Sequence, residues 1–202
     1  MKRDWPETVT AAADVALVGI AVTIASVPLL TAGAALRTGS SAIHAIAVGE
    51  KVDLRAMGRL FRASLLRGAL ATTAAAAAAL LLVFNVGAVA AGRVPGGSPA
   101  LAGTGVAAAV LLAIGMLSLV RLGRDTSPSG WREALRWAGR TAWRQPSAAA
   151  AVAGVSAVAA VLGVFVPLTA PLLVGYALYA AHAVTARLAV RKDEAAQVDF
   201  TS

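Results

Sequence analysis

The stretch of sequence that decides the fold is residues 68–92, GALATTAAAAAALLLVFNVGAVAAG, which contains no Asp, Glu, Lys or Arg. Three further stretches also carry no charge, namely residues 15–36, 94–120 and 145–186. A helix of about 20 apolar residues matches the hydrocarbon core of a bilayer, whereas in water it would expose apolar side chains on every face. The sequence therefore predicts an all-α, polytopic transmembrane helix bundle.

The composition argues against several other classes of protein. Because 58% of the 202 residues are hydrophobic and only 14% are charged, we expect a single integral membrane domain over residues 1–202. The net charge of +8 would suit a nucleic-acid ligand, but the basic residues lie between apolar stretches, where membrane orientation accounts for them. We therefore expect no nucleic-acid partner. The absence of Cys excludes disulfides and thiolate chemistry.

The chargeless stretches predict five transmembrane spans, at about residues 9–36, 68–92, 100–120, 146–165 and 169–187. In the first span, Pro28 is expected to bend or end the helix. The last chargeless stretch is 42 residues long, about twice the length that one crossing requires. Pro167 and Pro171 in its middle favour a tight break between two helices.

The distribution of Lys and Arg predicts the orientation in the membrane. With five spans and the N-terminus outside, only Lys2, Arg3 and Arg93 lie outside, and the other fifteen of the 18 basic residues are cytoplasmic. Most basic residues are Arg, and Ala and Gly are abundant, as in proteins from high-GC bacteria. We therefore expect a bacterial cytoplasmic (inner) membrane protein with its C-terminus in the cytoplasm. A cleaved signal peptide is the competing interpretation, which Asp4 and Glu7 disfavour.

Two amphipathic helices are predicted on the cytoplasmic surface. Residues 31–49 contain Arg37 and His44 and are expected to form an interfacial or partly re-entrant helix, since Arg37 inside the bilayer would cost roughly 3 kcal/mol. Residues 54–67 follow as the first amphipathic helix, with basic side chains on one face. These basic side chains are Arg55, Arg59 and Arg62.

The second amphipathic helix is predicted to begin after Ser127 and Pro128, a suitable pair for an N-cap and a first helical position. Its Arg side chains recur every four residues and face lipid or a protein partner: Arg132, Arg136, Arg140 and Arg144. Three Trp side chains, of Trp131, Trp137 and Trp143, would occupy the membrane interface. Attraction to anionic lipid explains this row without a specific partner, since each basic residue contributes about 1 kcal/mol. Docking of a partner protein is the alternative.

Few polar side chains lie within the predicted spans. Asn85 in the second span and His182 in the fifth are the intramembrane polar residues, and we interpret both as hydrogen-bond partners between helices. No metal-ligand spacing, nucleotide-binding loop or nucleophile motif is present, so we expect no enzyme activity, no cofactor and no metal site. Small-residue pairs, such as Gly87 with Ala91 or Ala150 with Gly154, would allow close helix contact or dimerisation.

Residues 26–34, SVPLLTAGA, close the first span, and the basic-aromatic residues 57–62, MGRLFR, precede the second. This layout resembles the YesL-like family of bacterial integral membrane proteins, whose members show a Pro-x-x-Thr-x-Gly turn, a short basic helix and a later Pro-broken hairpin. The chain departs from that pattern in being Ala-rich, without the usual bulky residues after Gly33. The resemblance implies an association with carbohydrate uptake, but no defined activity.

Two functions from different classes follow. The first is an accessory or interaction component of a bacterial uptake or envelope system, which would bind a membrane transport protein and the bilayer, including anionic lipids. The second is a small solute transporter or channel, acting as a homo-oligomer such as a dimer. Convergence of Asn85, His182, Thr23 and Thr169 on one cavity would favour the second.

Overall fold

The computed structural model describes the backbone of residues 5–93, 97–125 and 130–199, and the side chains of residues 9–93, 97–125 and 130–187. Helices without strands account for these ranges, which confirms the all-α prediction. The helices are α1 (Trp5–Ala25), α2 (Ala32–Val48), α3 (Leu54–Ala90), α4 (Gly97–Arg124), α5 (Trp131–Arg144), α6 (Pro146–Phe165) and α7 (Ala170–Asp199). Two 3-10 turns, Leu29–Thr31 and Pro167–Thr169, precede α2 and α7.

Four of the described helices are long and apolar enough to cross a membrane, and residues 9–25 form a shorter apolar helix. These five apolar segments agree with the predicted number of spans, and the last four spans fall within α3, α4, α6 and α7. The first span was predicted to reach residue 36, which is wrong, because α1 ends at Ala25. Pro28 cannot donate a backbone hydrogen bond, and the Thr31 hydroxyl lies 2.5 Å from the Ala25 carbonyl oxygen, which stabilises the end of the helix.

After this turn, α2 runs back along α1. Gly39 of α2 lies against the side chain of Val22, and Ile46 packs in one core cluster with Val15, nearer the start of α1. The two helices are therefore antiparallel. A Cβ atom at Gly39 would overlap Val22, so this close approach requires glycine.

Of the two locations predicted for residues 31–49, interfacial or partly re-entrant, the structure contradicts an exposed interfacial helix and leaves the re-entrant alternative as a prediction. Helix α2 packs against α1, α3, α4 and α7, and it lies at the centre of the bundle. Arg37, Ser40 and Ile43 each have a relative exposure of 0%. Arg37 is surrounded by protein and does not face lipid. The free-energy cost that the sequence analysis gave for Arg37 in the bilayer therefore does not apply, because that cost depends on what surrounds the charged group.

Helix α7 packs against α1 in the opposite direction. Gly19 of α1 lies against Gly175 of α7, while the Tyr176 hydroxyl contacts the Ala12 carbonyl oxygen at 3.3 Å, so α1 and α7 are antiparallel. Gly163 of α6 faces Ala170 of α7 across the second 3-10 turn. One end of the bundle, here called the turn end, therefore carries residues 26–31 and 166–169, and α3 passes this end at Gly68.

The opposite end of the bundle, here called the loop end, carries the start of α1, residues 49–53 and α5. Thr10 and Ala11 of α1 line a cavity there together with Val48 and Gly49. Because α7 also runs towards the loop end, residue 187 lies at the same end of the bundle as the start of α1. The predicted orientation, with the N-terminus outside and the C-terminus in the cytoplasm, remains a prediction, because the structure contains no membrane.

The first predicted surface helix is not separate from the second span. Residues 54–67 are the beginning of the continuous helix α3, which starts at the N-cap Asp53, whose carboxylate accepts a hydrogen bond from the Arg55 backbone at 2.8 Å. The predicted amphipathic character is present: the three basic side chains are exposed and Ser64 is buried. Gly68 packs against Gly33 at the start of α2. Residues 69–90, here called the outer half of α3, continue beyond this contact.

Candidate functional site

Five polar side chains of the bundle, buried or half-buried, meet at one place, which we call the buried polar cluster. It consists of two residues of α2, one of α4 and two of α7: Ser40, His44, Arg124, His182 and Thr185. Ser40 and His182 are 0% and 3% exposed. The cluster joins three helices that are distant in sequence.

The hydrogen bonds at the centre of the cluster assign its proton positions. The Ser40 hydroxyl lies 2.7 Å from the Leu119 carbonyl oxygen, which only accepts, so Ser40 donates to it. The Ser40 oxygen lies 2.9 Å from His182 Nε2 and must accept there, because its single proton is already used. His182 therefore carries its proton on Nε2. The hydrogen bond that the sequence predicted for His182 with a neighbouring helix is present, and its partner is Ser40.

A serine oxygen 2.9 Å from a histidine nitrogen also has the spacing of a nucleophile and its general base. Packing argues against that role here. A Cβ atom at Gly123 would lie 2.5 Å from the Ser40 hydroxyl oxygen, so the backbone of α4 fills the space that a substrate would need. His182 Nδ1, where a carboxylate would orient a catalytic imidazole, has no hydrogen-bond partner in the described part of the chain. The pair holds α2, α4 and α7 together.

The rest of the cluster extends this contact towards the loop end. His44 stacks on His182 with ring centroids 5.5 Å apart and an angle of 24° between the ring planes. Arg124 Nη2 donates to the Thr185 hydroxyl oxygen at 2.9 Å. Within residues 9–93, 97–125 and 130–187, no group of three His, Cys, Asp or Glu side chains is arranged to hold a metal ion.

Asn85 lies apart from this cluster, on the outer half of α3. Its Oδ1 lies 3.2 Å from the Thr104 hydroxyl of α4, whose single proton is shared with the Ala100 carbonyl oxygen at 2.9 Å, and this is the interhelical bond that the sequence predicted. Thr23 and Thr169 bond to carbonyl oxygens of Gly19 and Val166 nearby in the chain. Asn85, His182, Thr23 and Thr169 therefore do not converge on one cavity.

The arginine row on α5 faces away from the protein. All four of its Arg side chains are exposed, whereas Ala134 and Ala138 on the opposite side are 1% and 0% exposed. Arg121 near the end of α4 lies 3.3 Å from Asp125, four residues further along, and 3.9 Å from Glu133, which is the ion pair between α4 and α5 among the described residues. The predicted N-cap residues, Ser127 and Pro128, lie outside the described residues.

The sequence contains a signal for some residues of the buried polar cluster but not for the others. Ser40 and His44 are four residues apart and so share one face of α2, which is a signal for a polar helix face. Arg124 and Thr185 gave no such signal, since each lies at the end of an apolar helix. Gly123 was not distinguished from the other 18 Gly residues of the chain.

Helices of this length and composition make the chain a multi-pass α-helical membrane protein. No protein-family model, curated protein or solved structure matches the chain. Its function must therefore be argued from its own geometry.

Proposed function

We propose that the chain is an accessory membrane protein that binds other components of an uptake or envelope system and performs no chemistry of its own. The observation that carries this proposal is the hydrogen bonding of the buried polar cluster. Ser40, His182, Arg124 and Thr185 bond to one another or to backbone across helices, and Gly123 closes the space beside them. Side chains used in this way support the helix packing rather than a moving substrate.

We further propose that both ends of the chain lie in the cytoplasm of a bacterial inner membrane. Two observations support this orientation. The start of α1 and residue 187 of α7 lie at the loop end, and that end also carries most of the basic side chains, including those of α5. Among residues 69–93 and 97–107, which extend past the turn end, Arg93 is the only basic residue, while Arg67 adjoins Gly68 at the turn end itself. A cytoplasmic loop end agrees with the excess of Lys and Arg found in cytoplasmic loops.

The exposed arginine row supports binding of the loop end to anionic lipid. Guanidinium groups at four-residue intervals, beside the 90% exposed Trp143, are suited to phosphate groups and the membrane interface. The resemblance to the YesL-like family remains a prediction, and it is what suggests a carbohydrate uptake system as the setting.

Co-purification in mild detergent from a native host tests the accessory function. We expect a stoichiometric membrane transport protein to remain bound, and we expect the purified chain in liposomes to give no solute flux. Flux without any bound partner would contradict the proposal and favour the small solute transporter or channel.

A quadruple replacement of Arg132, Arg136, Arg140 and Arg144 by Gln separates lipid binding from partner binding. We expect weaker association with anionic liposomes and unchanged recovery of the partner. Loss of the partner with unchanged lipid association would mean that the arginine row is a protein docking face. The control is Arg93→Gln, which changes one exposed Arg just after α3, far from the loop end, and should leave both properties unchanged.

A further inference from the structure

The outer half of α3 is the least covered part of the apolar bundle. Only 6% of the most apolar 18-residue window of α3 is buried, compared with 33% for α4 and 28% for the α7 segment. Its large side chains are exposed, among them Leu80, Leu81, Val83 and Phe84. Lipid alone could cover an apolar surface of this kind, so exposure by itself identifies no partner.

A polar group on this surface distinguishes it from an ordinary lipid-facing helix. Asn85 is exposed, and only its Oδ1 is bonded, to Thr104. Its amide nitrogen makes no hydrogen bond with any described residue. Hydrocarbon offers no acceptor for these N–H groups, so a bare amide at membrane depth is unfavourable. A partner that supplies an acceptor would remove that cost.

The surface around Asn85 has the shape of a helix-binding groove. A cavity of about 490 Å³ lies between α3 and α4, and small residues form much of its lining. The small residues include Ala78, Ala100, Gly103 and Ala107. Ala and Gly at such a surface allow the backbone of another helix to approach closely. Thr104 and Asn85 provide the polar part of the same groove.

We propose that this groove binds the same groove of a second copy of the chain, so that the two α3–α4 pairs form a four-helix contact about a two-fold axis. The chemistry favours a second copy over another protein. A carboxamide is both donor and acceptor, so Asn85 of each copy can donate to Asn85 of the other, as a two-fold interface requires. Residues 69–90 contain no charged side chain that would select a differently charged partner.

The basic residues of α3 are compatible with this dimer. Arg67 is 18 residues from Asn85, which corresponds to about 27 Å along a helix. Two α3 helices that cross near Asn85 can diverge over that length, which keeps the basic beginnings of the two copies apart. The inference goes beyond the accessory function, because a dimer forms with or without another protein.

Disulfide cross-linking in membranes tests the proposed interface, and the absence of native Cys makes single-Cys variants clean. Leu81 lies one turn before Asn85 and lines the groove, whereas Val83 points to the opposite side of α3. The two side chains are matched in exposure, at 70% and 69%. We expect Leu81→Cys to give a cross-linked dimer at least several times faster than Val83→Cys. Equal rates for the two variants would overturn the proposal.

A second variant tests the role of the amide. In purified protein diluted into liposomes, Asn85→Leu should weaken the dimer about 3-fold to 20-fold, the range measured for single polar contacts between membrane helices. The control is Thr73→Val, because Thr73 is exposed on α3 but bonds only to the Ala69 carbonyl oxygen of its own helix, at 2.9 Å. An Asn85→Leu dimer as stable as the control would overturn the amide pairing. Since the assay uses only this chain, its result is independent of whether a transport partner exists.

Discussion

Helix α2 and the outer half of α3 show opposite relations between polarity and burial. Helix α2 contains Arg37, Ser40 and His44, yet it packs against four other helices. The outer half of α3 is almost entirely Ala, Leu and Val, yet Leu80 and Phe84 are 70% and 75% exposed. The more polar segment is inside and the more apolar segment is outside.

The solvent explains this inversion. In water, apolar side chains gain most by leaving the solvent, but lipid tails are as apolar as Leu and give no such driving force between helices. A polar side chain in hydrocarbon must instead find its partners within the protein. Burial of α2 supplies those partners, whereas the outer half of α3 needs none except at Asn85. The following predictions test this contrast, beginning with the largest expected effect.

The largest effect is expected in a test of whether α2 crosses the membrane, because each single-Cys variant should either react fully or not react. If α2 runs through the bilayer beside α1, both Lys2→Cys and Glu50→Cys should react with a membrane-impermeant maleimide only after permeabilisation. Ser98→Cys, in the first turn of α4 and far from the loop end, should react in intact cells and serves as the control. Reaction of Lys2→Cys in intact cells would place the N-terminus outside, and α2 would then not cross the membrane.

Two glycines of α3 should respond very differently to the same replacement. A Cβ at Gly68 would lie 2.5 Å from the backbone nitrogen of Ala34, whereas a Cβ at Gly87 would meet nothing within 4 Å. We expect Gly68→Leu to lower the free energy of unfolding by about 3 kcal/mol or more, because backbone cannot yield as a side chain can. Gly87→Leu should be nearly neutral. Unfolding in mixed micelles measures both, and equal losses would contradict the close contact between α2 and α3.

Removal of the Ser40 hydroxyl tests whether the buried polar cluster stabilises the bundle. Ser40→Ala leaves the His182 Nε2–H without its acceptor, and we expect a loss of about 1–2 kcal/mol in the free energy of unfolding. Thr73→Ala on α3 removes an exposed hydroxyl that bonds to its own helix and should cost little. The same micelle titration compares them. If Ser40→Ala is as mild as Thr73→Ala, the cluster does not account for the burial of α2.

The smallest effect is expected on the outer half of α3. Leu80→Ala should change the free energy of unfolding by less than about 0.5 kcal/mol, because Leu80 faces lipid before and after unfolding within the membrane. Leu117 of α4, which is 0% exposed, offers the matched comparison. Its replacement by Ala should cost about 2 kcal/mol through lost packing. A large loss for Leu80→Ala would show that a contact covers that side of α3.

Several parts of the candidate site were within reach of the sequence. Asn85 and His182 were identified as bonds between helices because a polar side chain in an apolar stretch is visible in the sequence, and both bonds are present. Their partners, Thr104 and Ser40, were not identified, since Ser40 lies 142 residues from His182. The small-residue pairs that suggested close helix contacts are not where such contacts occur. Gly87 and Gly154 have open space beside them, while Gly19, Gly33, Gly68, Gly123 and Gly175 form the close contacts.

By itself, the sequence determined that the chain is an all-α membrane protein, where α3, α4, α6 and α7 cross, and which face of α5 is basic. These properties depend on composition and periodicity over about 20 neighbouring residues, and the bilayer imposes the same length on every span. Only the tertiary structure decided that α2 lies at the centre and that the start of α1 and residue 187 of α7 share one end of the bundle. The position of α2 depends on partners in α1, α3, α4 and α7. A hydropathy profile considers each segment by itself, so it cannot predict that a polar helix lies at the centre when its packing and hydrogen-bond partners are elsewhere in the chain.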